Sequence, residues 1–292
     1  TKPSEPRSGA ACGCAASSSS QECWRAQSRS VRSWLVGDSR LVIALIRHAA
    51  VFTGRDKGIE GGEVQHYQRS LTVHEAMLDD VLLAFEMNGE PLLPQHGHPL
   101  RLVVPGWYGM TSVKWLDRIE AIAAPFNGYQ MRAYTFRDAN GAIVEREALQ
   151  RVRSLIIPPG IPDFLTRTRV VPCGRTRLEG RAWAGRRSIT RVEVSCDGGA
   201  TWSDAVVHAA VGKHAWHAWN IEVELATPGV VELCSRATDS EGAVQPRQAE
   251  WNLGGFANNA IQVLRVLVVA TEPADGSRLT MPIATTVDGA RL

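Results

Sequence analysis

Gln95–Leu116, QHGHPLRLVVPGWYGMTSVKWL, decides how this chain is read. It sets His96, His98, Arg101 and Lys114 around a short apolar strand that ends at Pro105-Gly106. Leu100, Leu102 and Val104 alternate and face a core, which leaves Val103 to the opposite layer. The cations fall where the strand enters and where the following turn leaves. A guanidinium offers a planar fork of donors and an ammonium a point charge, and both match phosphate oxygens. On local sequence alone the competing reading is a hairpin with charged residues on its surface, and spacing does not separate the two.

Upstream of this run, Ala49–Thr53 reads as a short strand and Gly54–Gly62 as a glycine-rich loop. Thr72 with Glu75 forms a capping box for a helix running to about Leu78. Val81–Met87 reads as an apolar strand, and Asn88-Gly89 signals a tight turn. Downstream, Val113–Ala123 is a further strand, and Pro158, Pro159, Gly160 and Pro162 mark a stiff crossing between two regions. Beyond Val170 the pattern becomes short and alternating: Arg177–Ala182, Ile189–Cys196, Trp216–Glu224 and Val230–Ala237, with turns at Asp197-Gly198-Gly199 and Asp239–Gly242. That spacing indicates a β-sandwich of immunoglobulin-like type. Trp183, Trp202, Trp216, Trp219 and Trp251 fall in it and read as packing residues, with a carbohydrate platform as the minor reading.

The expected fold class is therefore α+β. A partial mixed α+β domain covers 41–165 and the sandwich covers 170–268. A disordered arm occupies 1–40, where Ser, Ala, Gly, Arg and Gln dominate, and a tail occupies 269–292.

The formal charge of +2 over 292 residues gives no reason to invoke nucleic acid or an acidic membrane, so any anion site must be local. With six cysteines and no CxxC pair, neither a zinc site nor a disulfide scaffold is expected. Cys12, Cys14 and Cys23 lie in an Ala/Ser/Gly-rich context that reads as arm rather than metal site. No secretory signal is read at the N-terminus, and Leu41–Ile46 is too short to cross a bilayer. A soluble chain with a cytoplasmic location is the expectation.

VFTGRDKG, YQRSL, LLAFEMNGEPLLPQHGHPLRLVVPGWYG and SVKWL, followed by RVRSLIIPPGIPDF, RVEVSCDGGATW, AWHAW and WNLGGFANNA, resemble the sulfite oxidase family of molybdenum-cofactor oxidoreductases. The first set resembles the second half of the family's cofactor domain. The second set resembles its immunoglobulin-like dimerisation domain. Position by position, the resemblance implies molybdopterin contacts at Asp56, Ser70, His96, Arg101, Ser112, Val113 and Lys114. Arg101 and Lys114 suit the terminal phosphate, while Asp56, Ser70 and His96 suit the ring system. Without it, Asp56 reads as a turn residue and Ser70 as a helix-entry residue.

Tyr67 matches the family's active-site tyrosine, a phenol able to donate to an anionic oxygen and assist proton movement. His217 stands where relatives carry an arginine, which weakens a cationic contact and points to a substrate other than sulfite. Nothing in residues 1–50 matches the family's CAGN-like metal-ligating segment, so no metal ligand is assigned. Residues 1–48 read as a truncated or scrambled remnant.

The resemblance implies a sulfite oxidase-like enzyme, transferring an oxygen atom to sulfite or a related small anion. It also implies a homodimer, a small anionic substrate and a separate electron acceptor such as a cytochrome. The alternative is a non-catalytic family member, a dimerising sandwich with a vestigial pterin site.

Overall fold

The computed structural model describes residues 28–30, 48–146, 149–166 and 168–270. Its first large feature is a hairpin of β2 (Ala49–Glu60) and β3 (Glu63–Thr72), turned at Gly61-Gly62, where both φ angles are positive. Such a two-residue turn matches the right-handed twist of its strands. The stretch 54–60, expected to be loop, is strand instead. The glycines there are accommodated by a bulge: Thr53 pairs with Gln68 and Lys57 with His66, so Gly54, Arg55 and Asp56 stand opposite Tyr67 alone.

A strand also precedes this hairpin: β1 (Ser28–Ser30) lies inside the expected arm. It pairs antiparallel with β4 (Leu82–Ala84), whose other edge carries β7 (Arg101–Val103). An open edge on β4 supplies the hydrogen-bonding groups that hold these three residues in place. The rest of 1–40 lies outside the described residues.

β8 (Leu116–Ile122) adds to β2 and completes a three-stranded sheet. Thr72 caps α1 (Val73–Ala76) with the expected capping box, though the helix ends two residues short of Leu78. Asn88-Gly89 turns the small hairpin of β5 (Glu86–Met87) and β6 (Glu90–Pro91). Phe52, Leu71, Val81, Leu102 and Val113 form the buried core of this first unit. Each such side chain contributes about 1.5–3 kcal/mol by leaving water. The unit is mostly β; its helices among the described residues are short, α1 and α2 (Tyr129–Ala133), so the helical share expected of an α+β domain is not found. β9 (Thr135–Arg137) and β10 (Ile143–Arg146) form a hairpin beyond it.

In the second unit, β11 (Arg153–Ile157), β14 (Gly174–Trp183), β17 (Val206–Val207) and β18 (His217–Leu225) make one sheet, in the order β11-β14-β18-β17. The other runs β12-β13-β20-β19-β15-β16, with β12 at Ile161–Pro162, β13 at Arg169–Pro172 and β15 at Ile189–Ser195. Its remaining strands are β16 at Ser203–Asp204, β19 at Gly229–Asp239 and β20 at Val263–Val269. Leu178 and Trp219 from the first sheet pack with Val192, Leu233 and Val266 from the second in one buried core. Val152 and Ile156 belong to that core, so the proline-rich stretch 158–162 lies inside this unit instead of crossing between units. Proline sits there because β12 is an edge strand, where a missing N–H costs no ladder bond. β20 reaches into the expected tail; residues 271–292 lie outside the described residues.

Candidate functional site

The bulge in β2 brings two of the expected site residues together. Asp56 stands in the three-residue excursion opposite Tyr67, on exposed backbone beside the buried strand start. A Cβ on Gly54 would run into Asp56 Oδ1 and would lie 2.9 Å from the Lys114 carbonyl and 3.4 Å from Val113. Gly54 is thus the point where Asp56, Val113 and Lys114 converge, and only a residue without a side chain allows so close an approach.

A second glycine does the same on the other side. Gly97 ends the 3₁₀ turn Pro94–His96 with φ of +105°, a conformation costly for any residue with a side chain. A Cβ there would meet Lys114 Cβ at 3.0 Å and Arg101 Cβ at 3.2 Å. Arg101 Nη1 donates to the His96 carbonyl at 3.0 Å, and Nη2 to the Ser112 carbonyl at 3.4 Å. Burial pulls the Arg101 pKa down from its ordinary value. Lys114 Nζ donates to the Gln95 carbonyl at 2.8 Å. Ser112 Oγ accepts from the Val104 N–H at 3.1 Å, and the Val113 carbonyl accepts from Leu102 at 2.8 Å. His96, Arg101, Ser112, Val113 and Lys114 are therefore one hydrogen-bonded wall.

Ser70 is buried, paired with Val51 in the β2–β3 ladder. That ladder sets its place, apart from the hydrogen bonds of this wall. Tyr67 OH donates to the Met110 carbonyl at 2.6 Å, which ties β3 to the 3₁₀ turn Gly109–Thr111 just before Ser112. Burial pushes the Tyr67 phenol up to about 12, partly offset by the nearby Arg69 cation.

The wall fits a large polar cofactor on the structure's own observations. His96 Nδ1 is buried and has no hydrogen-bond partner, an arrangement that is costly unless something outside the protein satisfies it. Gly54 and Gly97 let Lys114 and Arg101 pack directly against their turns, which brings the two cations to one place. Cys12, Cys14 and Cys23 lie outside the described residues. Among the described residues no cluster of three or more His, Cys, Asp or Glu side chains could hold a metal.

A second feature lies where the two units meet. The turn Pro105-Gly106-Trp107 abuts Ala184-Gly185-Arg186 so closely that a Cβ on Gly106 would lie 2.8 Å from Arg186 Cγ and 2.9 Å from the Gly185 carbonyl carbon. Gln150 N–H donates to the Gly106 carbonyl at 2.9 Å. Beside this contact is a cleft lined by residues that include Gln150, Trp183, Arg187, His214, Trp216 and His217. His217 Nδ1 lies 3.1 Å from the His208 carbonyl. Along the seam, Arg186 Nε and Nη2, Trp107 Nε1 and His214 Nδ1 are buried donors or potential donors without a partner. Sequence reading missed Gly54, Gly97, Met110, Trp107, Arg186 and His214. Asn-Gly-like turn grammar flags none of them, and the seam joins residues far apart in the chain.

Residues 14–130 match the family described as "Oxidoreductase molybdopterin binding domain", and residues 147–271 match "Mo-co oxidoreductase dimerisation domain". The chain is 33% identical over 228 residues to a nitrate reductase of Oryza sativa subsp. japonica, covering 69% of this chain and 24% of that protein. It is 34% identical over 218 residues to the sulfite oxidase of Arabidopsis thaliana, covering 66% of this chain and 53% of that protein. Among solved structures it is similar to the sulfane dehydrogenase SoxCD of Paracoccus pantotrophus, with a TM-score of 0.65 and 31% identity over 76% of this chain and 55% of that one. The chain thus spans from about a quarter to about half of these relatives. No helix among the described residues is long and apolar enough to cross a membrane. Two consecutive domain matches and relatives of both kinds lead to one conclusion: the chain belongs to the sulfite oxidase family of molybdenum-cofactor oxidoreductases.

Proposed function

We propose that this chain acts in a sulfite oxidase-type enzyme, transferring an oxygen atom to or from a small inorganic oxyanion, with sulfite or a related sulfur anion as the substrate. One observation supports the anion: Arg186 Nε and Nη2 and Trp107 Nε1 are buried donors without a partner beside the Gly106–Gly185 contact. Buried donors without acceptors cost about 1–3 kcal/mol each, and an anion entering beside them removes that cost. The relatives act on sulfite, nitrate and sulfane sulfur by name, so the oxyanion class is common to two of the three.

Arg101 and Lys114 would hold the pterin's phosphate, with Asp56, Ser70, His96, Ser112 and Val113 as the remaining contacts. When bound, the cofactor supplies the two-electron change and the oxygen atom. Tyr67 keeps its proton across the working pH range, because burial holds the phenol near 12. Its single O–H donates to the Met110 carbonyl, so it reaches an anionic oxygen as a donor only by exchanging that bond, and otherwise holds the turn before Ser112 in place.

The second unit serves in this reading as an immunoglobulin-like dimerisation module, its two facing sheets and shared core standing apart from the cofactor wall. Electrons leave to a separate acceptor such as a cytochrome.

The test is to purify the protein from a host that makes the molybdenum cofactor, then measure sulfite-dependent and nitrate-dependent turnover with artificial redox partners. Sulfite-dependent acceptor reduction is expected. Nitrate reduction without sulfite oxidation, or bound cofactor without either activity, would reject the sulfur-anion assignment.

A further inference from the structure

Asp80 follows α1 in the first unit, and its carboxylate reaches into the second. Asp80 Oδ2 accepts from Lys213 Nζ at 2.9 Å and lies 2.8 Å from His214 Nε2, across 133 and 134 residues of sequence. The pair is half-buried on the His214 side, where both side chains are about one-fifth exposed, whereas Lys213 is 75% exposed. Asp80 Oδ1 is buried and accepts no hydrogen bond. One carboxylate oxygen thus carries both contacts, and the group does not serve its own unit's backbone.

Lys213 and His214 belong to a short turn in which Ala215 N–H donates to the Gly212 carbonyl. That turn continues into Trp216 and then β18. Trp216 is still 46% exposed, yet its ring stacks on Trp183 of β14 at 4.4 Å between centroids and 20° between planes. The turn and the stacked indoles all line the cleft.

We propose that Asp80 is a positioning residue: it pins the Lys213–Trp216 turn across the seam and so fixes the Trp183–Trp216 stack as one wall of the cleft. Burial alone would raise the Asp80 pKa, but the hydrogen bonds from Lys213 and His214 together hold it below the ordinary value, so the pin is charged at neutral pH. Its geometric part stands on these contacts alone. Its consequence for turnover rests on the proposed entry of substrate through the cleft.

The test uses the full chain and needs no metal. Two stacked indoles give an exciton couplet in the far-ultraviolet circular dichroism, assigned as the signal that Trp183→Phe removes. Asp80→Asn should lose at least half of that couplet, and Asp80→Asn combined with Trp183→Phe should lose no more than Trp183→Phe alone. His214→Gln approaches the same contact from the other unit and should weaken the couplet too, which keeps the test decisive if Asp80→Asn folds poorly. Raising salt to 1 M should weaken the wild-type couplet only partly, because the His214 arm is shielded. A full couplet in Asp80→Asn, or in a folded His214→Gln when Asp80→Asn does not fold, would overturn the proposal. With loaded enzyme, Asp80→Asn should raise KM severalfold with kcat little changed; an intact couplet change with no KM effect would reject substrate entry through the cleft and leave the pin standing.

Discussion

Tyr67 and Met110 are joined by a 2.6 Å hydrogen bond from the phenol to the backbone carbonyl, although 43 residues separate them. The bond fixes the phenol against the turn that leads directly into Ser112, Val113 and Lys114. Tyr67→Phe keeps the ring and removes only the donor. It should cost about 1 kcal/mol in denaturant unfolding, and lower turnover by about 10²–10⁴-fold if the phenol moves a proton. Turnover within twofold of wild type would remove Tyr67 from the chemistry.

The same phenol predicts an alkaline limb. Its pKa is raised in the folded chain from 10.0 to about 12, so the folded state holds this proton more tightly than the unfolded state does. Its contribution is complete below pH 10 and is lost as pH rises from 10 to about 12. Urea midpoints measured across that window should fall more steeply in wild type than in Tyr67→Phe.

Gly97 carries a φ of +105°, with Lys114 and Arg101 packed where a side chain would stand. Gly97→Ala should cost about 1–3 kcal/mol from backbone strain, and should displace both cations. Pterin content after purification should fall several-fold while the second unit keeps its unfolding transition. Retained pterin would show that the space at Gly97 is not part of the pocket.

Much of this was legible beforehand, because local rules set it. Thr72 and Glu75 cap a helix, Asn88-Gly89 turns a hairpin, and Leu102 and Val104 are buried as their alternation requires. The wall of His96, Arg101 and Lys114 lies within twenty residues, so sequence proximity already carried it. The bulge was not legible. Gly54–Gly62 has a loop's composition, and only pairing with β3 makes it strand. The proline stretch was misplaced because Pro162 on an edge strand looks the same in sequence as a linker proline. Contacts between units, such as Asp80 with His214 and Gly106 with Gly185, have no local signal at all.

Asp239 links the second unit's stability to the cleft. Its carboxyl group is fully buried, with Oδ1 accepting from the Glu241 and Ala243 N–H groups at 3.0 Å each. Oδ2 lies 3.0 Å from Arg187 Nη1, close enough for an ion pair though not aligned as a hydrogen bond. Asp239→Ala leaves the Glu241 and Ala243 N–H groups unpaired and Arg187 with Glu241 as its remaining carboxylate, and should destabilise the unit by about 2–3 kcal/mol in denaturant unfolding. A change below about 0.5 kcal/mol, the range of ordinary surface substitutions, would mean that water replaces the carboxylate.

The cofactor wall is tested most directly by counting pterin per chain in protein purified from a cofactor-producing host, for wild type and for Arg101→Ala. Near-stoichiometric pterin in wild type and a loss of at least tenfold in folded Arg101→Ala is the predicted result. Equal pterin in the two proteins, or none in wild type, would contradict it.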